Sequence, residues 1–218
     1  MGEKLTIVGL GGSLRGASRS RAALEVALDG AANAGADTVL LDLRELDLPM
    51  FSPDDEADPP AVVGGVIQAC YDADAMLWSS PMYNGTLSGS FKNALDWLHL
   101  LGTREPPFLH DTVVGLISAA GGTQGLQVIN TMEFATRALR AWSVPYVVPV
   151  PSAQTVFDAG GRVLDERVEL QLRTLGAEVV RVADRFIREP ALHREAECAD
   201  AADRVVAVAA AGADVGAG

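Results

Sequence analysis

The feature that most constrains this chain is a set of short apolar runs, each closed by glycine, proline or a polar turn and each followed by a stretch with helical spacing. The runs are KLTIVGL (residues 4–10), TVLLDL (38–43), AMLWSS (75–80), VVGLISA (113–119) and VPYVVPV (144–150). Runs of this length, rich in branched residues, read as strands of a parallel sheet buried on both faces. The stretches between and after them carry helical stripes. Ala23, Leu24, Ala27 and Leu28 line residues 20–34, and a helix is expected from Pro60 through Ile67 to Tyr71. Phe91, Leu95, Leu98 and Leu101 share a face of 88–101, and Val128, Ile129, Met132, Ala135 and Leu139 share one of 124–141. Val168, Leu172, Leu175, Val179, Val182 and Phe186 mark a helix over 166–187.

Regular alternation of strand and helix requires a parallel sheet with helices on both faces. The expected fold class is therefore α/β, a three-layer sandwich around a five-stranded parallel sheet. In the expected order 2-1-3-4-5, which alternation alone does not set, the loops after the first, third and fourth strands are neighbours around one crevice. Pro81 is expected to cut off the third strand. The segment RELDLPMFSPDDEADPP (44–60) has no periodicity and reads as a long connection, in which Met50 and Phe51 suit a subunit or substrate contact. The expected domain covers residues 1–190. The alanine- and aspartate-rich stretch 191–218 reads as a mobile tail with a weak helix near 195–209.

Composition matters here for what it excludes. With 17 Lys and Arg against 29 Asp and Glu, the formal net charge is −12. That balance speaks against nucleic acid and against an anionic membrane surface, both of which select clustered cations. Cys70 and Cys198 are too isolated for a disulfide framework or a zinc site, which points to a reducing cytoplasm. No stretch approaches the roughly 18 apolar residues of a membrane span, and no secretory leader is evident. His99, His110 and His193 are scattered, with no ligand spacing and no evident carboxylate partner. The acidic run Asp54, Asp55, Glu56 and Asp58 reads as solvated, and Trp78, Trp97 and Trp142 read as core.

Chemistry should lie beyond the carboxyl ends of the strands, where the strand order reverses. Three unusual loops follow strands there. GGSLRGASRSR (11–21) combines the start of a helix with the hydroxyls of Ser13, Ser18 and Ser20 and the fixed charge of Arg15. Unpaired N–H groups at a helix N-terminus, together with hydroxyl and guanidinium donors, suit a phosphate. The loop is neither a P-loop nor a dinucleotide fingerprint, since it lacks Gly-Lys-Ser/Thr and has Leu14 where a third glycine is needed. Taken alone it could also be a plain helix cap beside solvated arginines. PMYNGTLSG (81–89) offers exposed backbone groups around Asn84-Gly85, with Met82 and Tyr83 as apolar surface. AAGGTQG (119–125) allows close backbone approach at Gly121 and Gly122. Together the three loops describe a phosphate held at one end of a crevice and a planar ring held at the other.

GSLRGASRS followed by SPMYNGTLSGSFKNALDWL resembles the NADPH-dependent FMN reductase family, whose fold is flavodoxin-like; the likeness in element order spans roughly residues 5–186. The resemblance implies that Ser13, Arg15, Ser18 and Ser20 bind the phosphate of FMN. It implies that Pro81, Met82, Tyr83, Asn84 and Gly85 line the isoalloxazine ring, with Ser118, Gly121 and Gly122 near its other edge. Family members often carry a glutamate or another residue where Met82 stands. Arg19 and Arg21 would be helix-surface or subunit contacts. The implied activity is hydride transfer from NADPH or NADH through FMN to a second acceptor such as free flavin, a quinone, an azo compound or an oxidised metal anion. The implied assembly is a homodimer or homotetramer in which a neighbouring subunit completes the site. No catalytic side chain is expected, because the cofactor carries the chemistry. The rival expectations are a quinone or azo reductase on the same site and a flavodoxin-type electron carrier without NAD(P)H turnover.

Overall fold

The computed structural model describes residues 4–188, so the expected tail 191–218 lies outside the described residues. Strand β1 (Thr6–Gly11) leads to helix α1 (Arg19–Asn33), β2 (Asp37–Asp42) and the short helix α2 (Leu43–Leu46). The 44–60 connection ends at α3 (Ala61–Tyr71), followed by β3 (Ala75–Tyr83), β4 (Thr86–Leu87) and α4 (Gly89–Trp97). Then come β5 (Val113–Ala119), α5 (Leu126–Ala138), β6 (Trp142–Ser143), β7 (Val148–Val150), α6 (Ala153–Val156) and α7 (Glu166–Arg188). The strands run in the order β2-β1-β3-β5, with β6 and β7 both pairing with β5 in the fifth position. All of these pairings are parallel, and β4 folds back antiparallel on β3. This is the flavodoxin-like order 2-1-3-4-5.

The strict side-to-side alternation of strand residues divides the core in two. Val8, Leu10, Met76, Trp78, Val114 and Leu116 face the layer built by α3, α4 and α5. Ile7, Ala75, Leu77, Val113 and Ile117 face α1 and α7. On that second face helices and sheet approach closely because side chains are missing. A Cβ on Gly9 would lie 2.7 Å from Leu28 Cδ1, and one on Gly115 would lie 2.6 Å from Val179. The two helices also touch each other through glycines: a Cβ on Gly176 would lie 2.0 Å from the Ala27 carbonyl oxygen, and one on Gly30 would lie 2.3 Å from that of Arg173. Gly176→Ala is expected to cost about 1–2 kcal/mol in urea unfolding. A clash this close with backbone falls in the upper part of the overpacking range, roughly 2–3 kcal/mol, and the better helix propensity of alanine returns about 1. A variant as stable as the parent would contradict this crossing.

Three elements differ from the sequence expectation. Pro81 does not end β3, which continues to Tyr83. The ladder to β1 stops at Gly11↔Ser79, whereas that to β5 continues to Pro81↔Ala119. The Ser79 carbonyl faces the β1 side, where it accepts from Gly12 N at 3.1 Å. Residue 81 points the same way as residue 79, so the N–H that proline lacks would face space that β1 has already left. The expected fifth strand is split. Residues 144–147 stand opposite only 115–116 of β5, so the chain bows out around Pro145. The helix expected over 88–101 ends at Trp97 and tightens into a 3₁₀ turn over Leu98–Thr103. Trp78 and Trp97 are fully buried, but Trp142 is 55% exposed on the split edge strand.

The long connection is pinned to α4. Asn93 Oδ1 accepts from Phe51 N at 2.7 Å, while Asn93 Nδ2 and Trp97 Nε1 both donate to the Pro49 carbonyl at 2.8 Å. Phe51 packs edge-on to Trp97, at 5.1 Å between ring centres. Met50, next to it, is left in solvent.

Candidate functional site

The first loop leaves β1 pressed against β3. A Cβ on Gly11 would lie 2.2 Å from the Ser79 carbonyl oxygen, and Gly12 has φ +99°, so glycine is required at both positions. The chain then turns into α1, whose N-cap Ser18 accepts from Arg21 N at 3.2 Å. Ser13 Oγ donates to Ser18 Oγ at 3.1 Å, and Ser18 Oγ lies 3.1 Å from Ser20 Oγ. Three buried hydroxyls thus meet at a helix N-terminus. Ser79 Oγ donates to the Ser20 carbonyl at 2.8 Å and fixes this turn to the central strand.

The arginines of this loop separate by environment. Arg21 is held by Glu25 at 3.1 Å, Asp42 at 3.2 Å and Glu45 at 3.4 Å, so its role is structural. Arg15 is exposed, and its backbone N–H reaches Ser13 Oγ at 3.4 Å. Arg19 has a buried Nε with no hydrogen-bond partner.

The second loop is a hairpin. Asn84 (φ 50°) and Gly85 (φ 84°) make a two-residue turn with both residues left-handed, which is the geometry that an Asn-Gly pair favours. Met82 pairs with Leu87 and Tyr83 with Thr86. Ser80 Oγ accepts from Ser88 N at 3.0 Å and ties the hairpin base to the start of α4. The third loop is stitched to the segment after β7. Ala120 N donates to Val150 O at 2.9 Å, Ala153 N to Ala120 O at 2.9 Å, and Gln154 Nε2 to Gly121 O at 3.2 Å.

These pieces enclose a cavity of about 250 Å³. Ser13, Arg15, Ser18 and Ser20 form one end, and Pro81, Met82, Tyr83 and Gly121 lie across from them. Four expected site residues do not line it. Asn84 and Gly85 form the turn beyond it. Gly122 is not part of its wall. Ser118 is fully buried behind the wall, where its hydroxyl donates to the Gly125 carbonyl at 2.8 Å. Arg19, expected on the helix surface or at a subunit contact, lines the cavity, as do Ala17, Ala119, Ala120, Ala153 and Gln154, none of which was singled out from sequence. Gln154 follows the carboxyl end of the fifth strand, and the rule that located the other loops applies equally to it.

The charged residues of the wall are Arg15 and Arg19, with no carboxylate among them. In a chain of net charge −12 this is a local reversal of sign. An anion fits it. The buried Arg19 Nε lacks an acceptor, and the three hydroxyls have only one another and nearby backbone. The opposite wall is apolar or backbone, which suits a flat ring. This donor set fits a flavin mononucleotide: phosphate at the serine–arginine end, ring against 81–83 and 119–121.

Other reactive groups stand apart. Burial pushes the Cys70 thiol up to about 12, so it is no nucleophile at neutral pH. His99 Nε2 lies 3.9 Å from Glu56 and His110 Nε2 lies 3.5 Å from Asp111, so both have the carboxylate neighbour that sequence reading did not find. Among the described residues no three His, Cys, Asp or Glu side chains cluster to hold a metal.

An open parallel sheet in this order, with its cavity at the carboxyl ends of the strands, defines a flavodoxin-like protein. The sequence profile of the NADPH-dependent FMN reductase family matches residues 5–155, and the chain belongs to that family. It is 32% identical over 185 residues to an NAD(P)H-dependent FMN reductase of Pseudomonas aeruginosa, covering 80% of this chain and 95% of that one. It is 28% identical over 200 residues to a probable NADPH:quinone oxidoreductase of rice, Oryza sativa subsp. japonica, covering 88% and 95%. Among solved structures it is similar to FerB, a flavoenzyme NAD(P)H:(acceptor) oxidoreductase from Paracoccus denitrificans, with a TM-score of 0.69. Identity to FerB is 21%, over 84% of this chain and 98% of that one.

Proposed function

We propose that this protein is an FMN-dependent NAD(P)H oxidoreductase that delivers electrons to a small acceptor, a quinone or free flavin. The observation that carries this reading is the single cavity wall in which two arginines and three serine hydroxyls face a wall of small and apolar residues. When bound, FMN supplies hydride acceptance from a nicotinamide and onward electron donation. The chain supplies binding and orientation. Ser13, Ser18, Ser20 and Arg15 hold the phosphate at the N-terminus of α1. Pro81, Met82 and Tyr83 hold the ring on a strand that is tied through its hairpin and the Ser80 hydroxyl to the start of α4. Tyr83, half exposed, borders the side from which nicotinamide and acceptor approach.

The names of the Pseudomonas and rice relatives support flavin and quinone as acceptors. No helix among the described residues is long and apolar enough to cross a membrane. We place the protein in the cytoplasm, as a homodimer or homotetramer, on the negative charge, the sparse cysteines and the exposed Met50, Phe134 and Trp142. The test is the visible spectrum of the FMN-loaded protein before and after anaerobic NADPH. Bleaching followed by steady NADPH oxidation with a quinone is expected. A flavin that binds but never bleaches would leave an electron carrier as the function.

A further inference from the structure

We propose that Arg19 is a second cationic ligand of the cofactor phosphate, and that it gives this chain a preference for FMN over the unphosphorylated flavin. This rests on the cavity being the FMN site. Arg19 is the first residue of α1, directly after the cap Ser18. It belongs to the wall of the site cavity and also to that of an adjoining cavity of about 300 Å³, so the residue borders both. Its Nε is buried without a partner. The other such atom among the described residues is Trp78 Nε1, a neutral donor packed against Phe91 in the core.

A guanidinium cannot shed its proton, so a buried N–H on it needs an acceptor. The nearby carboxylates are engaged elsewhere. Glu25 and Asp42 bind Arg21, and Asp158 Oδ1 accepts from Gly160 N at 2.8 Å and Arg162 N at 2.9 Å. Arg19 therefore brings to the cavity wall a positive charge that none of these carboxylates neutralises, and an anion in the cavity would offset it. A phosphate monoester carries about −1.5 to −2 charges at pH 7. Arg15 offsets only one of these, and Arg19 offsets the second. Ser13, Ser18 and Ser20 supply the neutral donors around the same group.

The experiment titrates apoprotein with FMN and, separately, with riboflavin, following quenching of flavin fluorescence, for the parent, Arg19→Gln and Arg19→Lys. Loss of a charge-assisted contact is expected to raise the FMN Kd of Arg19→Gln about tenfold to a hundredfold. Its riboflavin Kd should stay that of the parent, and Arg19→Lys should recover part of the loss. Equal weakening of both flavins would make Arg19 a merely structural residue and overturn the proposal. So would an unchanged FMN Kd while the parent binds FMN tightly, which leaves the FMN site itself standing. A parent protein that binds neither flavin would overturn both this proposal and the function on which it rests.

Discussion

Trp97→Ala is expected to destabilise the fold by about 3–5 kcal/mol, the range for removing a large aromatic from a core. Trp97 is fully buried and packs against Phe51, and its indole N–H donates to the Pro49 carbonyl. The substitution therefore leaves a cavity under α4 and loosens the 44–60 connection, which keeps only its two bonds to Asn93. Trp97→Phe separates these effects. It keeps most of the packing and removes one of the two donors to the Pro49 carbonyl, leaving the bond from Asn93 Nδ2, which should cost about 0.5–1.5 kcal/mol. Urea unfolding gives the stabilities, and limited proteolysis near residues 47–58 reports on the connection. If Trp97→Ala loses less than Trp97→Phe, the connection is not anchored as described.

The second large effect concerns binding. Arg15→Ala is expected to weaken FMN retention by about 1.5–3 kcal/mol, the range for a hydrogen bond to a charged group. Arg15 is exposed, so the loss should shrink as salt rises and screens the pair. Equilibrium titration at two ionic strengths checks both points. An FMN affinity that does not change in this variant would remove Arg15 from the phosphate site.

Strands, helices and layers were legible in the sequence because they rest on periodicity, whereas the strand order is not set by it. Every strand that packs helices on both faces is an unbroken apolar run, and every helix that packs on the sheet carries a stripe. What periodicity does not encode is how far neighbouring strands extend. Pro81 is acceptable in β3 only because β1 ends two positions earlier, a fact about another part of the chain. Trp142 reads as core by composition and is exposed because its strand is short and lies at the edge. The serine–arginine end of the cavity was visible because its residues lie within one short stretch, 13–20. Ser118 was misplaced because a strand residue at the right depth can point away from the cavity, and its hydroxyl does. Arg19 was set aside on the resemblance, which does not say which of three neighbouring arginines finds carboxylates. Arg21 finds three, and Arg19 has none among its contacts.

The split fifth strand has a consequence for how copies of this chain can meet. An intact sheet edge is a template on which a foreign strand can add. On the β6–β7 side the bowed residues 144–147 and the missing N–H groups of Pro145 and Pro149 leave no continuous row of donors and acceptors. On the opposite side β2 keeps a continuous register from Asp37 to Asp42 and ends in a carboxylate at each terminus. Runaway strand addition needs two open ends on every molecule, and this sheet offers one. Edge-to-edge addition of such sheets therefore ends at a pair joined through β2 and does not propagate into a fibril.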